Sequence, residues 1–208
     1  MGLPRDRSLS ESSPAVARRL RLFIAVELSN ETVTHARKII ERLQLTQAEG
    51  RWVDVGNLHL TLQFLGDVGE LEIPDICKAM DEVGAALPPF DVEIGGVGAF
   101  PDMDTPRTLW LGIRRGAEDL VALHQQLDAR LTPLGYRGED RKYRPHLTLG
   151  RLRDNYPEVL QALATELEAM SAQHAGVTDV CDITLFSSES GRKGPTYEVL
   201  HTAELKGK

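Results

Sequence analysis

Two identical tetrapeptides stand 87 residues apart, His59-Leu60-Thr61-Leu62 and His146-Leu147-Thr148-Leu149. In an extended strand, residues two apart point to the same side, so each His shares a face with its Thr while the leucines take the other. Brought together, two imidazoles and two hydroxyls suit in-line displacement at a phosphodiester. One imidazole takes a proton from the attacking oxygen and the other gives one to the leaving oxygen. An unperturbed imidazole titrates near about 6.5, so one can be neutral and the other protonated near neutral pH. The threonine hydroxyls, Thr61 and Thr148, can donate to the non-bridging oxygens, where charge builds as phosphorus becomes five-coordinate. Such chemistry calls for no metal and no cofactor, and neither motif brings an adjacent carboxylate or a third His at ligand spacing. One His-x-Thr on a strand is ordinary. Its repetition is not, because a repeated core would keep Leu-x-Leu and has no need of His and Thr on the opposite face.

The elements that position these residues repeat as well. The same shift lays Leu22-Phe23-Ile24 on Leu109-Trp110-Leu111, and Ile73, Ile76, Met80 and Val83 on Leu160, Leu163, Leu167 and Met170. Those spacings of three and four mark one apolar helix face in each copy. The chain thus reads as a flexible arm over residues 1–19, then one domain over 20–205. Its repeat halves span about 21–106 and 108–193, with a final strand near 196–205. Arg21 to Leu28 reads as a strand leading to a helix cap at Ser29 and Asn30, residues 31 to 48 as a helix, Leu58 to Gly66 as a strand and 70 to 87 as a second helix ended by Pro88-Pro89. Two copies are too few for a solenoid, so two facing lobes with a cleft between them are expected.

Composition bounds the partners. The chain has 208 residues, 41% hydrophobic and 26% charged, with a formal net charge of −7, which suits a globular domain and argues against coating long duplexes. Six basic and two acidic residues lie between Arg137 and Arg153, a local positive segment fit for a short anionic substrate. Arg144, two residues before His146, shares its parity and is a candidate phosphate contact. Trp52, Phe100, Tyr143 and Tyr197 are candidates for a base-stacking platform. Cys77 and Cys181, 104 residues apart, read as core thiols rather than a disulfide. The other histidines, 35, 124, 174 and 201, have no motif partner, and Glu189 to Pro195 reads as a mobile hairpin loop. The longest apolar runs fall far short of the roughly 18 to 20 residues of a membrane span, and the first 20 residues lack the apolar core of a secretory signal. The expectation is a cytoplasmic protein, for which a monomer suffices.

In RLFIAVEL, RWVDVGNLHLTLQFLGDV, PRTLWLGI, RPHLTLGR and LFSSESGRKGPTYEVL, taken in this order over residues 20 to 205, the chain resembles the RNA 2′,3′-cyclic phosphodiesterases. These are also called 2′-5′ RNA ligases and belong to the two-histidine phosphoesterase superfamily. The resemblance implies an α+β, bilobal fold in which antiparallel sheets line a central cleft and helices pack outside. It implies metal-independent hydrolysis of a terminal 2′,3′-cyclic phosphate to a 2′-phosphate, with RNA ends or nucleoside 2′,3′-cyclic phosphates as substrates, and admits reversible 2′-5′ ligation. By the same resemblance His59 is the proton donor to the departing 3′-oxygen, His146 the base that activates water, and Arg151 a phosphate ligand. Strict alternation from His146 turns Arg151 to the far face, so that last role requires the strand to bulge or end near Gly150. The alternative from a different class is a module that binds phosphorylated RNA ends or nucleotides without turning them over.

Overall fold

A computed structural model describes residues 18–138, 142–192 and 194–208; most of the expected N-terminal arm lies outside the described residues. Among the described residues, nine strands form one antiparallel sheet: β1 (Arg19–Glu27), β2 (Gly50–Trp52), β3 (His59–Gly69), β4 (Phe90–Phe100), β5 (Thr108–Arg115), β6 (Leu147–Leu152), β7 (His174–Val180), β8 (Asp182–Gly191) and β9 (Gly194–Glu204). The same residues include four α-helices, α1 (Asn30–Gln44), α2 (Ile73–Ala86), α3 (Ala117–Leu131) and α4 (Pro157–Ala169). The strands run β7-β4-β5-β6-β3-β1-β8-β9, with β2 on β6. This is an α+β fold with a curled, half-barrel sheet.

The repeat is visible in the helices: α1 and α3 start and end 87 residues apart. Ser29 caps α1, accepting from the Thr32 amide, and Ala36, Ile39, Ile40 and Leu43 supply its buried face. Ile76, Met80 and Val83 do so in α2, and Leu163 and Leu167 in α4.

Each half of the sheet nevertheless draws on both halves of the sequence. β4 lies beside β5 although it precedes the midpoint, and β8 lies beside β1 although it follows it. The helices cross over too: α1 and α4 pack against β4, β6 and β7, and α2 and α3 mainly against β3, β8 and β9, with α3 also touching β5, the strand that precedes it. The two central strands, one from each repeat, meet at a single step, Leu60 opposite Leu147. Beyond it they part, and β2 replaces β3 along β6.

The leucines of both motifs go where alternation sends them. Leu58, Leu60, Leu62, Leu147 and Leu149 are buried in the large core between sheet and helices. A second, small cluster of Phe23, Ala25 and Phe186, packed by Tyr197, occupies the opposite face of the sheet. The segment expected as a mobile hairpin loop is mostly paired strand, since the β8–β9 ladder runs out to Gly191 opposite Gly194. Cys77 and Cys181 are free, and Cys181 is exposed at the chain's passage from β7 to β8 rather than in the core.

Candidate active site

The single step Leu60 opposite Leu147 fixes the motif geometry. In an antiparallel pair the flanking residues then face one another as His59 with Thr148 and Thr61 with His146. All four share the face opposite the core leucines. His59 and His146 are diagonal neighbours across this one paired step.

Both rings are held the same way. His59 Nδ1–H donates to the Asn57 carbonyl at 2.8 Å, and His146 Nδ1–H to the Arg144 carbonyl at 2.7 Å. A carbonyl can only accept, so Nδ1 carries the proton in the neutral ring and Nε2 is left with its lone pair. His59 Nε2 meets the Thr61 hydroxyl at 3.0 Å. Aromatic rings fix the two planes: Phe23 and Tyr197 beside His59, at 4.8 and 5.5 Å between centroids, and Phe100 and Trp110 beside His146, at 5.1 and 6.4 Å. Phe23 and Trp110 are again 87 residues apart.

Burial lowers the pKa of both imidazoles, against the raising effect of their carbonyl partners. His146 is lowered further by the Arg151 guanidinium, and the same charge acts on the Tyr197 hydroxyl. Arg151 therefore lies within electrostatic reach of His146 and of Tyr197, the ring beside His59. The register explains how. Trp110 pairs with Thr148, but Leu109 pairs with Gly150, which leaves Leu149 as an extra residue. This bulge reverses the alternation of β6. Gly150 and Leu152 become buried, and Arg151, opposite Thr108, turns to the face of His146.

A family model described as the 2'-5' RNA ligase superfamily matches residues 30–192. The chain belongs to that superfamily. Among its relatives in the superfamily, an RNA 2',3'-cyclic phosphodiesterase of Archaeoglobus fulgidus is 34% identical over 89% of this chain and all of that protein. One from Methanothermobacter thermautotrophicus is 33% identical over 90% of this chain and all of that one. The crystal structure of TT0787 of Thermus thermophilus superposes with a TM-score of 0.76 at 28% identity, covering 91% of this chain and all of that one. Escherichia coli LigT in its apo form, at 24% identity and TM-score 0.71, has the same fold over 89% of this chain and 97% of its own.

The remaining site residues expected from the sequence divide by face. Phe100 and Tyr197 stand on the cleft face beside the two histidines. Trp52 does not. It pairs with Gly150 on the core side of β6, and its ring lies where a side chain at 150 would be, 2.9 Å from such a Cβ. Tyr143 is also directed elsewhere: one ring face stacks on His124 at 4.3 Å, and its hydroxyl donates to the Thr61 carbonyl at 3.0 Å. It braces β3 from behind. Burial accordingly pushes its phenol up. Arg144 precedes β6 in irregular backbone, where strand parity assigns no face. Its side chain is exposed, and its carbonyl holds His146.

Two residues were missed by sequence reasoning. Arg51 stands directly opposite Arg151 on β2 and so shares its face. Phe64 pairs with Phe23 because Leu62, like Leu149, is an extra residue in a bulge. The signal for Phe64 was present: it occupies the position 87 before Arg151. Among the described residues, no group of three or more His, Cys, Asp or Glu gathers as a metal site, and no helix is long and apolar enough to cross a membrane. His201 pairs with Asp81 and His174 with Glu93, both away from the motifs.

Proposed function

We propose that this protein hydrolyses 2′,3′-cyclic phosphates at RNA ends, or on nucleosides, to 2′-phosphates, with residues 20–205 acting as one catalytic unit and no metal or cofactor. The observation that carries the reading is the shared face of the two motifs, with both Nδ1 atoms tied to carbonyls and both Nε2 atoms on the side of the motif threonines, His59 Nε2 beside the Thr61 hydroxyl. The relatives' names support the substrate class.

His146 Nε2 takes a proton from water as its oxygen attacks phosphorus. The P–O3′ bond breaks in line, and His59 Nε2–H protonates the departing O3′. The product carries a 2′-phosphate and a free 3′-hydroxyl. His146 leaves the cycle protonated and His59 neutral, and exchange with solvent resets both. Thr61, Thr148 and Arg151 donate to the non-bridging oxygens, where the pentacoordinate state concentrates charge. The same state is reached from a ribose hydroxyl in place of water, so 2′-5′ ligation uses the same groups.

The Arg151 charge favours this direction of proton flow. It disfavours a second positive charge on His146 and so keeps that ring neutral, as a base must be.

The test is turnover of adenosine 2′,3′-cyclic phosphate by wild type, His59→Ala and His146→Ala, with and without EDTA. Each replacement should lower kcat by about 10²- to 10⁴-fold in a protein that still melts cooperatively, and EDTA should change nothing. Binding of the nucleotide without turnover by wild type would mark a non-catalytic module. Loss of activity in EDTA, restored by a divalent ion, would mark metal catalysis.

A further inference from the structure

The two histidine motifs share very little backbone. β3 and β6 pair at one step, Leu60 opposite Leu147. The first motif is held along β1, with His59 opposite Glu27 and Thr61 opposite Ala25. The second imidazole enters differently. Leu147 is the first residue of β6, and residues 142–146 before it are irregular chain. His146 hangs there on the Arg144 carbonyl, so its place relative to His59 depends on what fixes this segment.

Tyr143 fixes it. Its hydroxyl donates to the carbonyl of Thr61, 82 residues earlier, at 3.0 Å. The next residue, Leu62, forms the bulge that buries Gln63 and leaves Phe64 exposed. The Leu62 carbonyl accepts from His124 Nδ1–H on α3 at 2.9 Å. The Tyr143 and His124 rings stack at 4.3 Å, with 20° between their planes. One stacked pair thus serves two successive carbonyls of β3, just where β6 has parted from it. Gln63 adds a third tie, its amide donating to the Tyr136 carbonyl at 2.9 Å. Pro145 stiffens the far end of the segment, because its ring fixes its own φ and keeps Arg144 extended. Two hydrogen bonds and two residues therefore join the backbone of the first motif to the ring of the second.

We propose that Tyr143 is a positioning residue for catalysis, whose hydroxyl, through the Arg144 carbonyl, sets His146 against the first motif. The proposal rests on the catalytic reading above, in which His146 is the base. Burial pushes the Tyr143 phenol up, so it keeps its proton, and its bond to Thr61, wherever the two imidazoles titrate.

The experiment measures kcat and KM on adenosine 2′,3′-cyclic phosphate for wild type, Tyr143→Phe and Leu163→Val. Tyr143→Phe keeps the ring and loses one hydroxyl. Leu163→Val trims a buried side chain of α4, outside both motifs, and serves as the control for lost stability. Tyr143→Phe should lower kcat about tenfold with KM within about twofold of wild type. Leu163→Val should lower Tm and leave kcat unchanged. In a His146→Ala background the hydroxyl has no imidazole left to place, so Tyr143→Phe should cost less than about twofold. A wild-type kcat in Tyr143→Phe, or the same loss with and without His146, would overturn the proposal.

Should wild type fail to turn over the nucleotide, the catalytic reading fails by itself. The positioning role is then decided by NMR titration of the His146 Cε1–H signal. Burial is the main influence that lowers the pKa of this ring; the Arg151 guanidinium acts the same way and the Arg144 carbonyl opposes both. Tyr143→Phe should release the ring and raise its pKa toward the ordinary value of about 6.5, whereas Leu163→Val should not. A His146 pKa equal to that of wild type in Tyr143→Phe shows that the hydroxyl does not place the ring.

Discussion

The site's tightest steric dependence is a glycine. Gly98 on β4 pairs with Trp110 on β5, and the indole lies across it: a Cβ at 98 would stand 2.3, 2.4 and 2.8 Å from Cη2, Cζ2 and Cζ3 of Trp110. The ring also covers Gly112, whose Cβ would stand 3.3 Å from Cζ3. Ordinary contact begins near 3.4 Å, so Gly98→Ala must move the edge of the indole by about 1 Å, as overpacking of a filled site does. The ring cannot sink into backbone, and Phe100 blocks one side at 5.1 Å. His146 is the other ring that packs on the indole, 6.4 Å away, and it takes up part of that motion. Overpacking of this kind costs about 1–3 kcal/mol, and a chain of this length loses about 2–4 °C of Tm per kcal/mol. Displacement of a catalytic group by ~1 Å can cost about 10²-fold in rate. Gly98→Ala should therefore melt a few degrees lower and lose about 10- to 100-fold in kcat on a cyclic mononucleotide, with Trp110→Leu in the same background recovering part of both. A variant with the lower Tm but kcat within about twofold of wild type would show that the indole moves without His146, and that the aromatic packing does not set the imidazole's position.

Two further outcomes follow from charge. Burial holds both imidazoles below the ordinary value of about 6.5, so kcat/KM should peak on the acid side of neutrality. Its alkaline limb is the loss of the His59 proton and its acid limb the protonation of His146. Removing the Arg151 charge lets His146 hold its proton more tightly, so Arg151→Gln should move the acid limb to higher pH while lowering the maximum; a limb that stays put would place the guanidinium elsewhere. Arg51 and Arg151 oppose one another directly, an unfavourable cross-strand pair of like charges. Arg51→Gln should raise Tm in low salt and raise KM for the anionic substrate, both differences shrinking as ionic strength screens the pair; a lower Tm would show that Arg51 does not suffer this repulsion.

The parts of the site that could be read in the sequence are those governed by period. The 87-residue repeat located both motifs, and the rule of two placed His59 with Thr61 and His146 with Thr148, opposite buried leucines. The rest depends on departures from period. Leu62 and Leu149 are chemically indistinguishable from their neighbours, yet each is the extra residue that reverses its strand. Hence Trp52, on the short strand paired to the reversed part of β6, was expected at the substrate, where its neighbour Arg51 stands instead. Tyr143 was misplaced for another reason. Its ring is held by His124 on α3 and its hydroxyl by a carbonyl of β3, partners distant in sequence. The exchange of helices between the lobes was likewise hidden, because a repeat shows which segments are alike and not which copy of a helix covers which sheet.

A doubled chain builds the two halves of a proton relay at once, but an exact twofold site would bind its substrate in two opposite senses and give either imidazole either role. The reaction needs one sense. The bulges supply it without disturbing the motifs, because they act only beyond each His-x-Thr, where they turn the residue three places after the Thr into the cleft. On β6 that residue is a cation, which lowers the pKa of His146 and, in the mechanism proposed above, draws the phosphate. On β3 it is an exposed phenyl ring, which attracts no anion and leaves His59 free of added positive charge. One insertion in the strand geometry, used twice with different residues, thus breaks the symmetry of the scaffold, as the proposed acid–base pair requires. In the mechanism proposed above, the difference between Phe64 and Arg151, rather than any difference between the two His-x-Thr motifs, sets which imidazole is the acid and which the base.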